Sequence, residues 1–182
     1  MFSASSARVR RLVQCALFAA LAAVCSQIAL PMPWGVPVNL ALFAVCLAGS
    51  LLGPVWGAAA VAAYLALAAA GVPVLAGFQG GLAALLGRTG GYAVGYLPAA
   101  LLVGLLTRRP RRRFGWLCAA MAAGCAACYA LGTAWFLLLT HTPLWTALGL
   151  CVLPYLPGDA VKIALAAALT VQLDRRLPRG LL

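Results

Sequence analysis

From Leu12 to Gly87 no side chain carries a charge, and the same holds from Thr89 to Thr107, from Phe114 to Gly158 and from Ile163 to Leu173. About 20 consecutive apolar residues already cross a bilayer. A soluble domain has about 25% charged residues, whereas this chain of 182 residues has 8%. The runs are too long for soluble core helices, so the chain reads as an integral membrane protein. A lipid-facing β-barrel alternates polar and apolar positions. These runs are instead continuously apolar and rich in Ala and Leu, which favour helix, so the expected fold is an all-α membrane bundle.

The formal net charge of +11 invites a nucleic-acid partner, but the arginines do not line one soluble face. They fall into three groups, Arg8/Arg10/Arg11, Arg108/Arg109/Arg111/Arg112/Arg113 and Arg175/Arg176/Arg179, each beside the end of an apolar run. That is the pattern of positive-inside topology signals, and no nucleic-acid partner is expected. The N-terminal region has a basic start and an apolar core, like a secretory signal. Its apolar run continues past the length of a signal core and no polar domain follows, so it reads as a retained first span.

Proline and glycine divide the runs into six expected transmembrane helices, about 9–30, 38–52, 55–70, 91–107, 114–139 and 157–174, with a short interfacial helix near 144–153. Together they make a single membrane domain over 1–182. A cytoplasmic N-terminus with an even number of crossings returns the C-terminus to the cytoplasm and puts all three arginine groups inside. The long connections 31–37, 71–90 and 140–156 then lie outside, while the Gly53-Pro54 connection inside is short. Long connections gathered on one face predict a single-sided cavity. No second half repeats the first, unlike many secondary transporters built by duplication.

The stretch "YLPGDAVK" at 155–162 holds the chain's one lysine and one of its two acids. Pro157 suits the start of a helix, Asp159 in the first turn complements the helix dipole, and Lys162 lies on the same face. The plain alternative is a self-neutralising cap with a snorkelling lysine. An ion carried towards hydrocarbon costs about 2.5–3.5 kcal/mol even on the lenient insertion scale, which favours a ligand site. Arg88 stands alone on the outer side in "LLGRTGGYAVGY", next to Thr89, Gly90, Gly91 and Tyr92. The glycines permit close backbone approach to a ligand, and an ordinary turn before span four is the alternative. Gly77, Gly80 and Gly81 around Phe78 and Gln79 suggest a flexible loop suited to act as a lid. In "PWGVPVN", Trp34 reads as an interfacial anchor, and Asn39 reads as a mouth residue or a cap of span two. The pairs Ala16/Ala20 and Ala19/Ala23 in span one permit close approach to a neighbouring helix or a partner subunit.

Enzymatic chemistry has no visible constellation. Cys125-x-x-Cys128 falls mid-span without acid or histidine companions and reads as small apolar packing. His141 stands alone, and no zinc-protease, nucleophile-elbow or phosphate-loop motif occurs. No metal or cofactor is expected.

Taken together, three segments resemble the BioY family, the biotin-binding S components of energy-coupling factor (ECF) transporters. They are "VPVNL" at 36–40, "LLGPVWGAAAVAAYLALAAAGVPVLAGFQGGLAALLGRTGGYAVGY" at 51–96 and "YLPGDAVK" at 155–162. The family pattern is similar to VP-x-T-L-Q, then LLGP and GxPVF, then GPTGGY, then FLPGD-x-x-K, in the same order and spacing. Asn39 stands where the family commonly has Thr, Ala41 where it has Gln, Leu75 where it has Phe and Arg88 where it has Pro. The resemblance implies capture of biotin at the outer face of the cell membrane, in company with a membrane T component and two cytoplasmic ATPases. The implied binding set is Asp159, Lys162, Arg88, Tyr92, Asn39, Gln79, Gly90 and Gly91. Asp159 would accept from the ureido N–H groups, and Lys162 or Arg88 would meet the carbonyl or the carboxylate. The rival readings are a transporter of another small vitamin and, further off, a membrane enzyme using Asp159 and His141.

Overall fold

Glycine and proline set where the helices stop, and apolar burial sets which faces meet. The computed structural model describes residues 2–30, 37–108 and 113–176. In chain order these form α1 (Phe2–Gln27), β1 (Ala29–Leu30), β2 (Val38–Asn39), α2 (Ala41–Ala69), α3 (Leu82–Leu86), α4 (Gly90–Leu106), α5 (Phe114–Thr140), α6 (Leu144–Cys151) and α7 (Leu156–Arg176). Four stretches, Ala7–Gln27, α2, α5 and α7, are long and apolar enough to cross a membrane, and α4 is a shorter apolar helix. The protein is therefore a multi-pass helical membrane protein.

The helix α2 is not straight. Gly53 has φ 80 and ψ −179 with Pro54 behind it, a backbone state natural to glycine, and the residue before a proline avoids the helical region. A Cβ placed on Gly57 would fall 2.8 Å from the Gly49 Cα, whereas a straight helix would hold these positions about 12 Å apart. The chain folds back on itself at Gly53, where the sequence reading sets the boundary between spans two and three. The first half of α2 is the most buried segment, with Ala41, Ala44 and Val45 inaccessible. It packs on α4 so closely that a Cβ on Gly49 would meet the Ala100 carbonyl oxygen at 2.6 Å.

Two features depart from the sequence reading. Span one ends at Gln27, and the chain then forms a two-stranded antiparallel ribbon pairing Ala29 with Asn39 and Leu30 with Val38. The connection 71–90 contains the short helix α3. The expected interfacial helix near 144–153 is present as α6. Trp34 and the arginines 109, 111, 112 and 179 lie outside the described residues.

The small-residue pattern of α1 divides between two environments. Ala16 and Ala20 are exposed, but Ala19 is buried in the core with Ala22 and Cys25, and Ala23 is half-buried against the same cluster. Ala19 and Ala23 therefore serve the bundle itself rather than an outside partner. The mean directions of the two pairs differ by about 60° around the axis, and that turn is enough to carry Ala16 and Ala20 to the surface while Ala19 is buried.

The described helix ends sort into two groups. Cys15 donates to the Trp56 carbonyl at 3.3 Å, Trp116 donates to the Leu106 carbonyl at 2.8 Å, and Gly104 packs on Pro54. These contacts mark one end of the bundle, and Arg8, Arg10, Arg108, Arg113, Arg175 and Arg176 lie exposed towards it. The other end carries the ribbon, the 71–90 connection, α6 and the start of α7, and it encloses the cavity.

Candidate functional site

A cavity of about 490 Å³ opens at the end opposite the arginines. Its base is set by the starting point of α7. The helix α5 rises to Thr140, but α6 and the turn after it lead the chain back down before α7 begins at Leu156. Asp159, in the first turn of α7, therefore lies level with Tyr129, about 16 Å of helix rise below the end of α5. The acid is 5% exposed.

Each oxygen of that carboxylate has a partner. Lys162 Nζ donates to Oδ1 at 2.8 Å, and the Tyr129 hydroxyl donates to Oδ2. Lys162 also donates to the Asn39 backbone carbonyl at 2.6 Å, which ties α7 to the ribbon. A cap that only neutralised its own helix would not reach β2 and α5. Burial of an ion pair is tolerated when further hydrogen bonds satisfy both partners, and here they do.

Asn39 has two roles. Its Oδ1 accepts from the Ala41 backbone N–H at 3.1 Å, an Asx turn at the start of α2, and from the Tyr96 hydroxyl at 3.3 Å. Its residue lines the cavity at the same time. Tyr92 lines the wall, with its hydroxyl 3.2 Å from Thr133 Oγ1 and its ring edge-on to Tyr129 at 6.4 Å between centroids. Cys128 reaches the wall and donates to the Tyr92 carbonyl at 3.4 Å. It lines the cavity beside Tyr129 as a small wall residue, and all the described cysteines are free thiols.

Hydrogen bonds tie the loop over the mouth to α1 and α2. Ser26 and Tyr64 donate to the Val74 carbonyl, Gln27 Nε2 donates to the Leu75 carbonyl at 3.0 Å, and Phe78 N–H donates to Gln27 Oε1 at 3.0 Å. Gly77 and Gly81 have positive φ, and Gly80 packs against the Val72 carbonyl. The glycines make a tight turn possible, and these hydrogen bonds join it to α1 and α2. Phe78 takes φ 56 at the exposed tip, an uncommon conformation for a bulky residue of the kind that gathers at functional sites.

Of the expected site residues, the structure brings Asp159, Lys162, Asn39, Tyr92, Gln79 and Gly90 together around the cavity. Arg88 does not line it and is exposed. Gly91 faces away, because a side chain there would run into Trp135, whose indole N–H caps the Gly87 carbonyl at 3.1 Å. His141 ends α5 in the left-handed conformation, is exposed and does not line the cavity that holds Asp159. Sequence reasoning missed Tyr129, Tyr96, Tyr64, Tyr155 and Gln27. The signal was available for Tyr129, since a phenol in the middle of an apolar span needs a hydrogen-bond partner.

Fold and site thus define a helical membrane protein with an end-facing pocket built around a buried ion pair. The BioY family model matches residues 2–179, and the chain belongs to the BioY family. It is 38% identical over 179 residues to the biotin transporter BioY of Rhodobacter capsulatus, covering 91% of this chain and 94% of that one. It is 35% identical over 167 residues to the biotin transporter BioY of Thermotoga maritima, covering 92% and 97%. The crystal structure of the S-component for biotin from an ECF-type ABC transporter superposes with a TM-score of 0.86 at 30% identity over 93% of each chain. The family is one of transporters, not of enzymes.

Proposed function

We propose that this chain is the membrane subunit that captures biotin for uptake. The observation that carries the reading is the carboxylate and ammonium of Asp159 and Lys162, buried at the base of a single-ended cavity and held by Tyr129 and Asn39. Biotin's ureido group offers two N–H donors and one carbonyl. Asp159 accepts from the donors and Lys162 donates to the carbonyl, so both ends of the ion pair gain a partner without a change in net charge. Tyr92, Tyr96, Tyr64 and Leu42 supply an apolar wall for the ring and tail. Gln79, Gly90 and Asn39 complete the binding set, and Arg88 acts from outside the wall as a screened charge near the mouth.

The same reading places six crossings in the cell membrane. The two halves of α2, split at Gly53, count as separate spans, both termini are cytoplasmic, and the cavity faces outward. The arginines at the opposite end support this orientation by the positive-inside rule. Energy comes from partners, an ECF T component and two cytoplasmic ATPases. The exposed Ala16 and Ala20 on α1 offer a place where a partner helix can approach closely.

Mass spectrometry of the small molecules that co-purify, followed by titration of the emptied protein with biotin, tests this. Biotin in the preparation and saturable binding are expected. A different vitamin in the preparation together with no heat on biotin addition would overturn the assignment.

A further inference from the structure

We propose that the pocket also accepts tail-extended biotin derivatives, in which the terminal carboxylate is joined through a neutral amide to an amino-acid or short peptide group. The proposal rests on the biotin reading above and follows from how charge and space are distributed between base and mouth.

Among the described lining residues, Asp159 and Lys162 carry the charges, and they are bonded to each other. The base is therefore neutral as a unit. A ligand carboxylate placed there would leave a net negative charge in a site from which water is largely excluded, which costs far more than placing a neutral ureido group. The tail accordingly runs towards the mouth. There the lining is Gln27, Gln79, Thr89, Ala29, Pro37 and Ala76, all of them uncharged. The Gln79 carboxamide and the Thr89 hydroxyl hydrogen-bond an amide as well as an acid, and Arg88 is exposed outside the lining, where solvent screens its charge, so the mouth sets no requirement for a free carboxylate.

Space points the same way. Biotin has about sixteen non-hydrogen atoms, which at roughly 15–20 Å³ each in a close-packed site occupy about 240–320 Å³. The cavity of about 490 Å³ leaves on the order of 200 Å³, room for about ten further atoms at the same packing. A lysine joined through its side-chain amine adds about that many atoms. Gln79 and Gly77 at the rim are exposed, so a longer substituent continues into water rather than into protein.

The test is calorimetric titration of the purified, emptied protein with three ligands: biotin, biotin N-methylamide and ε-N-biotinyl-lysine. Both amides are expected to bind within about thirtyfold of biotin, the factor that corresponds to about 2 kcal/mol. Asp159→Asn is expected to weaken all three alike. Biotin binding with either amide weaker by more than about thirtyfold would overturn the proposal, because a loss of that size marks a desolvated carboxylate partner. Failure of biotin itself to bind would overturn the assignment of the pocket instead, so the two failures are distinguishable.

Discussion

At one end of the bundle Asp159 and Lys162 are buried against each other, their side chains 6% and 13% exposed, with Tyr129 and the Asn39 carbonyl as further partners. At the other end Arg8, Arg10, Arg108, Arg113, Arg175 and Arg176 lie exposed. The first arrangement depends on geometry, because each charge is tolerable in the interior only while its partners stay in place. The second depends on number and position along the chain, since an arginine in the interface signals orientation whatever its rotamer. One end is thus a site and the other a label, and substitutions should separate them sharply.

The largest effect is expected from Lys162→Ala, which leaves the Asp159 carboxylate buried beside Tyr129 alone. Breaking a buried pair in this way costs about 3–5 kcal/mol, and thermal unfolding in detergent should show a marked fall in midpoint. Asp159→Asn combined with Lys162→Met removes both charges. It should restore much of the stability while leaving biotin unbound, which separates the role in folding from the role in binding.

Next in size is the helix packing that holds the site in register. Gly49→Val would drive a side chain into the Ala100 carbonyl, and overpacking of this kind costs about 1–3 kcal/mol. Thermal unfolding should detect it, with a secondary loss of affinity as α2 and α4 separate. Tyr129→Phe keeps the ring and removes the hydrogen bond to Asp159 Oδ2. A bond to a charged group contributes about 1.5–3 kcal/mol, and biotin affinity should fall by about tenfold or more in titration. At the far end, Arg175→Ala with Arg176→Ala should leave biotin affinity within about twofold, a few tenths of a kcal/mol. A large loss there would collapse the contrast between the two ends.

The two ends were not equally legible in the sequence. The arginine groups declare themselves because position along the chain is all their role requires. Asp159 and Lys162 were legible for a related reason, as a rare acid and the one lysine set within apolar runs. Tyr129 is marked in the sequence as a mid-span phenol that needs a partner, but the partner itself is not, because the contact with Asp159 joins residues thirty positions apart on different helices and depends on how deep α7 begins. The break at Gly53-Pro54 was visible as punctuation, whereas the ribbon of 29–30 with 38–39 was not, since two residues per strand leave no alternating pattern to detect. Arg88 and Gly91 stood in the same short motif as Gly90 and Tyr92, yet helical geometry turns neighbouring side chains about 100° apart. Only part of that motif faces the cavity.

The central claim is that the buried pair grips the ligand. Calorimetric titration of biotin into the emptied wild-type protein and into Asp159→Asn, side by side, tests it most directly. Loss of a hydrogen-bonded buried charge is expected to cost about 2–5 kcal/mol, or roughly thirtyfold to several thousandfold in affinity. Undiminished biotin binding by a folded Asp159→Asn protein would contradict the account.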